Sequence, residues 1–437
     1  MKKLLTILLL VLAVSCSHEP DAENHLAPAL GEVVIEAQCY SAHATCAVSN
    51  AGGIETATAV LESGGATVEM PAVLAGGRLS VDMDRLQSGS IYSLCFVVSS
   101  GEYSKSTDAM QFTTPPGARA IYPEDRVFEE YLLENHDTNH DGVLTVDEAR
   151  RITSIEIRTN NISSIDEIRY MPNLFYLDVW NSYEEPGGLT HLDLSGNPNL
   201  IRLNCDWNSI EALDLTMCPY LECLCCAQNS LTQIDLSHNP ELREINLDNN
   251  LLSSIDISHQ TKLTCLNINM NRAIRTISIP NPEILTNFTI GDTRITEFDL
   301  GTMPRLQVYG GNNLPIDFVP DLSSHPHMTE IHLCTTGGAS WIDDPHYPCQ
   351  FEDLEGVNLC AYPLETIDFS KNTKLRALWI SIANRLEEID LSAAPDMEII
   401  EFADCERLKR IYVHPNVVIE NLKTLRGSCQ AEILHKQ

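Results

Sequence analysis

Residues 137–148 read Asp-Thr-Asn-His-Asp-Gly-Val-Leu-Thr-Val-Asp-Glu. Oxygen donors recur with a stride of two. Asp137, Asn139 and Asp141 offer side-chain oxygens at loop positions 1, 3 and 5, and Val143 offers its carbonyl at 7. Gly142 at position 6 permits a sharp turn. Thr145 stands at 9, where a water commonly bridges, and Glu148 at 12 can close the shell with two oxygens. Leu144 at 8 is apolar and would point inward. Such a hard, all-oxygen cage suits Ca²⁺, whereas Zn²⁺ and Cu²⁺ favour softer ligands.

In these residues the loop resembles the EF-hand calcium loop position by position. The resemblance implies a helix on its N-terminal side. Residues 124–136 supply one, with Val127, Phe128, Tyr131 and Leu132 on one face. No second loop of this kind occurs, so the usual pairing is missing and affinity is expected to be weak, on the order of 10⁻⁴–10⁻³ M. The loop runs through Ala149-Arg150-Arg151 directly into a repeat array. A bound ion is therefore expected to stiffen that joint and cap the open end of the array.

The array is plainest at residues 200–262. Leu200, Leu203, Cys205, Asn208, Ile210, Leu213 and Leu215 return 21 residues later as Leu221, Leu224, Cys226, Asn229, Leu231, Ile234 and Leu236, and again as Leu242, Ile245, Leu247, Asn250, Leu252, Ile255 and Ile257. Positions 4 and 6 lie two apart, so they share one side of a short strand. Asn at 9 follows the strand, where its amide can bond the backbone of adjacent turns. One repeat cannot bury its apolar row alone, so neighbours must stack. The spacing resembles the leucine-rich repeat. It implies a solenoid of about twelve turns over residues 151–413, starting at Ile152 and passing Leu174, Leu263, Leu285, Leu306, Met328, Leu354, Leu375 and Met397. Residues 414–437 lose the pattern and are expected to form a C-terminal cap.

The non-core strand positions should line one open face. Tyr176, Trp180, Trp207 and Trp379 fall on or beside it, among Arg202, Asn246, Asp248, Asn267, Asn269, His332 and Asn358. Exposed aromatics among Asn and Asp suit a protein or glycan ligand. Two inserts break the period, at 183–188 and at 335–349, and the second carries Trp341 as a further candidate contact. His325, His327, His332 and His346 gather nearby in sequence, without a metal-ligand spacing. Cys205 and Cys226 should be buried, Cys223, Cys225 and Cys265 should lie on the opposite side of the strand, and Cys334 and Cys360 fall at equivalent positions of adjacent turns.

Met1-Lys2-Lys3 precedes a short apolar run ending in Leu12-Ala-Val-Ser-Cys16, too short to span a bilayer. It resembles a bacterial lipobox, which implies cleavage before Cys16 and acylation of Cys16 as the mature N-terminus. Ser17 followed by Glu19, Asp21 and Glu23 resembles outer-membrane, surface-exported lipoproteins. Residues 17–31 read as a tether. Residues 32–115 carry six or seven short strands separated by glycine turns and predict a β-sandwich. Leu86-x-x-Gly89-x-x-Tyr92, with Phe112-Thr-Thr-Pro115, resembles the second half of a fibronectin type III domain. Residues 116–150 then hold the helix and calcium loop.

A net charge of −33 disfavours nucleic acid, whose phosphates attract Lys and Arg. No G-x-S-x-G, H-E-x-x-H or phosphate-binding glycine loop occurs. Asp343 and Asp344 are an acidic pair on an unconstrained loop. In domain order the chain resembles surface leucine-rich-repeat lipoproteins with Cys-bearing repeats like those of internalins. That implies a monomeric, non-enzymatic recognition protein, held at the outer membrane by its lipid alone and binding a protein partner. The alternative is a glycan-binding accessory to polysaccharide uptake.

Overall fold

The computed structural model describes residues 28–100, 103–315, 321, 322, 324, 325, 327–333, 347–360, 365–419, 423–425 and 431–436. Cys16, Cys334, Trp341, Asp343, Asp344 and His346 lie outside the described residues, as does most of the second insert. The chain divides into two compact units, Met1–Ala120 and Ile121–Gln437. Among the described residues no helix is long and apolar enough to cross a membrane.

The first unit holds nine strands: β1 (Ala29–Ala37), β2 (Ala42–Ser49), β3 (Thr56–Ser63), β4 (Ala66–Pro71), β5 (Val73–Ala75), β6 (Arg78–Met83), β7 (Ile91–Ser100), β8 (Tyr103–Ser106) and β9 (Met110–Thr113). They form two antiparallel sheets, β1-β2-β6-β5 and β4-β3-β7-β8, with β9 also on β7. The alternation of β7, whose Tyr92, Leu94, Phe96 and Val98 all point inward, shows why: every second residue joins one core with Val33, Cys46, Leu79 and Val81. The Gln87 amide donates to the Tyr92 hydroxyl at 2.7 Å, and Tyr92 stacks on Phe112 with ring centroids 5.5 Å apart. β1 opens at Ala29, inside the stretch expected to be tether. Its start, Ala29 and Leu30, pairs with Ser49 and Val48 before a bulge.

The second unit begins with a two-stranded pairing of β10 (Ala120–Ile121) and β11 (Leu144–Thr145), on either side of α1 (Arg126–His136). Asp125 caps α1 by accepting from the amides of Val127 (3.0 Å) and Phe128 (3.1 Å). Its second carboxylate oxygen accepts from the Ser163 amide at 2.8 Å and so ties the helix to the first coil. Phe128, Leu132, Leu144 and Ala149 join the same apolar core as Ile152 and Ile155, so the helix and loop close one end of the array.

The array is a thirteen-stranded parallel ladder running from Ser154–Glu156 to Lys423–Leu425. Eleven of its strands are flanked on both sides, giving a β-solenoid of about eleven turns, close to the dozen expected. Most strands are three residues long, and the middle residue of each is buried: Leu177, Leu203, Leu224, Ile245, Leu266, Phe288, Tyr309. Register is strict, with Leu203 beside Leu224 and Leu224 beside Ile245. Burying one such side chain stabilises by about 1.5–3 kcal/mol, which only stacking can realise. Leu189, Leu192 and Leu194 are not a separate strand. They are buried on the return side of the coil that begins at Leu174, displaced by the insert.

The C-terminal end departs from expectation. The described residues after 413 still add parallel strands. Lys423–Leu425 adds the last ladder strand, and Glu432–His435 joins a second parallel sheet with Glu388–Leu391 and Arg410–Val413. Val417, Ala431 and Ile433 carry the apolar row onward with altered spacing.

Candidate recognition face and calcium loop

The turns at the strand ends set the face. Asn246 and Asn267 lie on the outward side of their strands, and each Oδ1 accepts from the amide two residues on, Asp248 (3.3 Å) and Asn269 (3.1 Å). The next residue adopts a left-handed backbone in coil after coil: Trp207 (φ 59°), Gln228 (56°), Asn249 (50°), Met270 (56°), Asp292 (54°) and Asn313 (50°). Behind this corner runs a ladder of buried amides. Asn250 Nδ2 donates to the carbonyls of Cys226 (2.8 Å) in the preceding coil and Leu247 (3.1 Å) in its own, while its Oδ1 accepts from the Leu231 amide (3.0 Å). Asn208, Asn229 and Asn271 repeat the arrangement. Asn at this position therefore rivets neighbouring coils, as its place after the strand predicted.

A second amide ladder escaped the sequence reading. Asn197 donates to the Ile168 (2.8 Å) and Met171 (3.0 Å) carbonyls, Asn239 to Leu215 (3.0 Å) and Cys218 (2.8 Å), and Asn372 to Pro348 and Phe351, both at 2.8 Å. Its signal was present as x-Pro-x-Leu before some strands, in Asn197-Pro-Asn-Leu200 and Asn239-Pro-Glu-Leu242. His325 occupies the same rung. Its Nε2 lies 3.1 Å from both the Leu300 and Met303 carbonyls and must carry a proton to donate there. At 1% exposure it is a structural donor, not a metal ligand.

The expected aromatic face is less unified than its sequence positions implied. Tyr176 donates its hydroxyl to Asp178 at 2.8 Å, a bond that pushes its own ionisation up to about 12. Trp180 is half-buried beneath the Arg158 guanidinium, 3.7 Å from the ring centroid. Trp207 is not on a strand but at the left-handed corner, edge-on to Tyr183 of the first insert at 5.8 Å. Trp379 lies nine strands further along, in register with Asn358, its ring centroid 6.5 Å from that of His332. At about 4.8 Å per strand that is roughly 40 Å from Trp180, so the tryptophans form two sites rather than one.

Cys205 and Cys226 are fully buried at adjacent rungs, as their position required. Cys223 and Cys225 share the outward side with Sγ atoms 4.0 Å apart, yet Cys223 is also buried, donating to the Glu244 carboxylate at 3.3 Å. The neighbouring Cys225 thiol, then burial, push the Cys223 thiol far above its ordinary range. Cys205, Cys218, Cys223, Cys225, Cys226 and Cys265 in these coils are free thiols.

Asp206 sits in the coil after Trp180. Burial pushes its carboxyl up to about 6, the Ala227 amide at 2.5 Å pulls the other way, and the Asp178 and Asp248 carboxylates add repulsion. The folded chain thus holds this proton more tightly than the unfolded one. Ionised Asp206 destabilises above about pH 6, and stability rises as pH falls from 7 towards 4, by on the order of 2–3 kcal/mol. Asp193, Asp214, Asp235 and Asp256 shift downward through bonds from the Ser or Thr two residues on, so they lose stability only at lower pH. Asp206→Asn is expected to raise the melting temperature at pH 7 and shrink its gain at pH 5. Asp248 and Glu167 shift upward too, so part of the gain persists. Identical pH 7 and pH 5 behaviour in variant and parent would refute this assignment.

In the calcium-like loop, Gly142 takes the left-handed turn at φ 79°. Asp137 is buried at 6% exposure, with Oδ1 accepting from the His140 amide and Oδ2 from the Gly142 amide, both 2.8 Å. Asn139 accepts from the Asp141 amide (2.9 Å) and Asp141 from the Val143 amide (3.0 Å). Glu148 opens the short helix α2 (Val146–Ala149) in a reciprocal cap with Thr145. One of its oxygens accepts from the Thr138 amide and hydroxyl, the other from those of Thr145, at 2.8–3.0 Å. Burial raises its carboxyl pKa, but these bonds outweigh it and hold the group below the usual range. No cationic side chain pairs with Asp137, Asp141 or Glu148 among the described residues. Among those residues no three His, Cys, Asp or Glu side chains gather closely enough to hold a metal ion. The donor chemistry fits a hard cation, while the carboxylates are turned onto their own loop's amides.

These features define a β-solenoid of leucine-rich-repeat type. Three solved structures resemble it in part. The functional domain of InlJ from Listeria monocytogenes, described as including a cysteine ladder, is 24% identical with a TM-score of 0.47, over 67% of this chain and 64% of that one. The leucine-rich-repeat domain of APL1B is 14% identical with a TM-score of 0.37, over 67% of this chain and 84% of its own. The APL1 domain is 19% identical with a TM-score of 0.33, over 56% and 70%. The chain thus spans less than two thirds of the InlJ domain. No protein-family model matches the chain, and no curated protein does.

Proposed function

We propose that this chain is a non-enzymatic recognition scaffold whose ladder face binds a protein partner outside the cytoplasm, with the chain held at the outer membrane by lipid on Cys16. The supporting observation is the rigidity of the face. Each outward residue is carried by a coil bonded to both neighbours, so a partner meets a surface already ordered. Tyr176, Trp180 and Arg158 form the aromatic–cationic end of that face, and Trp379 with His332 the other. A glycan accessory would stack sugar on bare ring faces, and Arg158 covers one face of Trp180.

The test uses the full chain at the cell surface, probed with extracellular proteins and with a glycan array. Trp180→Ala or Trp379→Ala should weaken a protein partner about tenfold without altering the melt, in line with buried aromatic anchors. Capture of glycans alone would reverse the reading, and recovery of the chain in the soluble fraction would remove the anchor.

The first unit acts, on this reading, as a fibronectin type III-like spacer, a likeness supported by the Gln87–Tyr92 bond and the two facing sheets. Asp137, Asn139, Asp141, Val143, Thr145 and Glu148 would hold one Ca²⁺, which would supply the positive charge that the loop's carboxylates lack. Added Ca²⁺ at about 1 mM, near the affinity range of extracellular loops, should then raise the melting temperature by several degrees. Glu148→Gln should abolish that rise. A melt indifferent to both Ca²⁺ and chelator would dispose of the site.

A further inference from the structure

On the corner side of the coils, two coils beyond Trp207, lies an open depression of about 490 Å³. Leu251, Met270 and Ala273 give it an apolar lining, and Arg272 and Arg294 line it as well. Leu251 is 63% exposed. Leu251, Arg272 and Arg294 occupy the same position of three successive coils. The Arg294 amide donates to the Ile274 carbonyl at 2.7 Å, so these coils are in direct contact. At a strand spacing of about 4.8 Å the two arginines are immediate neighbours.

At several other places on the solenoid, cations of one coil are paired with acids of the next: Arg243 with Glu222 (3.5 Å), Lys262 with Glu241 (2.5 Å), Arg376 with Glu398. Here two like cations face each other, and neither forms an ion pair among the described residues. The nearest acid in sequence, Asp292, accepts instead from Asn313 at 3.1 Å. In a chain of net charge −33, two adjacent uncommitted guanidiniums beside an apolar lining are complementary to an anion with an apolar neighbour.

We propose that this depression is a second recognition site, at which Arg272 and Arg294 grip carboxylates of an acidic segment in a partner protein whose apolar side chain rests on Leu251, Met270 and Ala273. The proposal builds on the reading of the chain as a protein-binding scaffold and names a contact outside the ladder face. Arginine is the suitable cation, because its planar fork meets a carboxylate with two parallel bonds.

The full chain is titrated with a labelled acetyl-Glu-Phe-Glu-Phe-Glu-amide peptide, followed by anisotropy. Two control peptides replace Phe by Ser or Glu by Lys, and an oligogalacturonate serves as the anionic glycan. Saturable binding of the Glu–Phe peptide is expected, weakened about tenfold or more in Arg272→Gln/Arg294→Gln and in Leu251→Ser, and reduced by salt. Both variants change exposed side chains, and an unaltered melt shows that they fold. Equal binding of the Glu–Ser peptide, tighter binding of the oligogalacturonate, indifference to the arginine pair, or no saturation would each overturn the site. Trp180→Ala run in parallel separates the two readings. Loss of the ladder-face partner with a silent peptide rejects only this site, and peptide binding without any Trp180 effect rejects only the ladder face.

Discussion

Gly196→Ala is expected to melt the first coils of the solenoid. A Cβ at this position would stand 1.9 Å from the Arg169 carbonyl oxygen and 2.5 Å from its carbon. Both are backbone atoms of a 3₁₀ turn, Asp166–Tyr170, that leads into the next coil. No rotamer can relieve the clash, so the coils must part. Parting them also breaks the bonds from Asn197 Nδ2 to Ile168 and Met171, leaving a buried amide unsatisfied. Overpacking together with an orphaned donor costs about 3–5 kcal/mol. In a stacked array the damage should stay local at first, appearing as a separate early transition. Hydrogen exchange across residues 166–205 should rise while residues 330–411 remain protected. Gly301→Ala is the control, since its Cβ would meet only the exposed Asp299 carboxylate at 3.1 Å. Equal melts for the two variants would refute the steric account.

The second large effect is expected at Asn250. Alanine there leaves the Cys226 and Leu247 carbonyls and the Leu231 amide without their partner, in a region closed to water. The loss should be about 2–4 kcal/mol, because desolvated groups are left unpaired rather than merely weakened. Asn250→Asp is expected to be worse. It keeps the acceptor for Leu231 but removes both donors and sets a charge against two carbonyls. The Leu231 amide, read by exchange, should lose protection in the alanine variant first. An aspartate variant as stable as the parent would show that the bonds to Cys226 and Leu247 contribute nothing.

Much of this was legible in the residues because the coil imposes its period on them. Leu203, Leu224 and Ile245 must be apolar, and Asn208, Asn229 and Asn250 must be amides, so position alone announced their roles. The left-handed corner was not legible. Trp207, Gln228, Asn249, Met270 and Asp292 share a backbone conformation but no chemistry, since the solenoid's geometry overrides their individual preference. The second amide ladder was missed because its rung accepts Asn, Gln and His alike, including Gln260 and His325. β4, β5 and β8 are short edge segments whose mostly polar or exposed residues carry no strong alternation. The turns after residue 413 were hidden because the spacing changes while the burial does not. Trp180 and Trp379 were grouped because sequence gives a residue's phase within a coil but not its distance along the stack. The paired arginines at 272 and 294 drew no notice for the same reason, since only stacking makes them neighbours.

The bonds that rivet the coils have one more implication. Asn229 reaches back 24 residues to Cys205, Asn250 24 to Cys226, Asn239 21 to Cys218. Nothing in a coil waits for a segment hundreds of residues away, so loop-closure entropy stays small at each step. A polypeptide emerging N-terminus first during its synthesis can therefore wind itself up as it arrives, each new rung finding its template already in place.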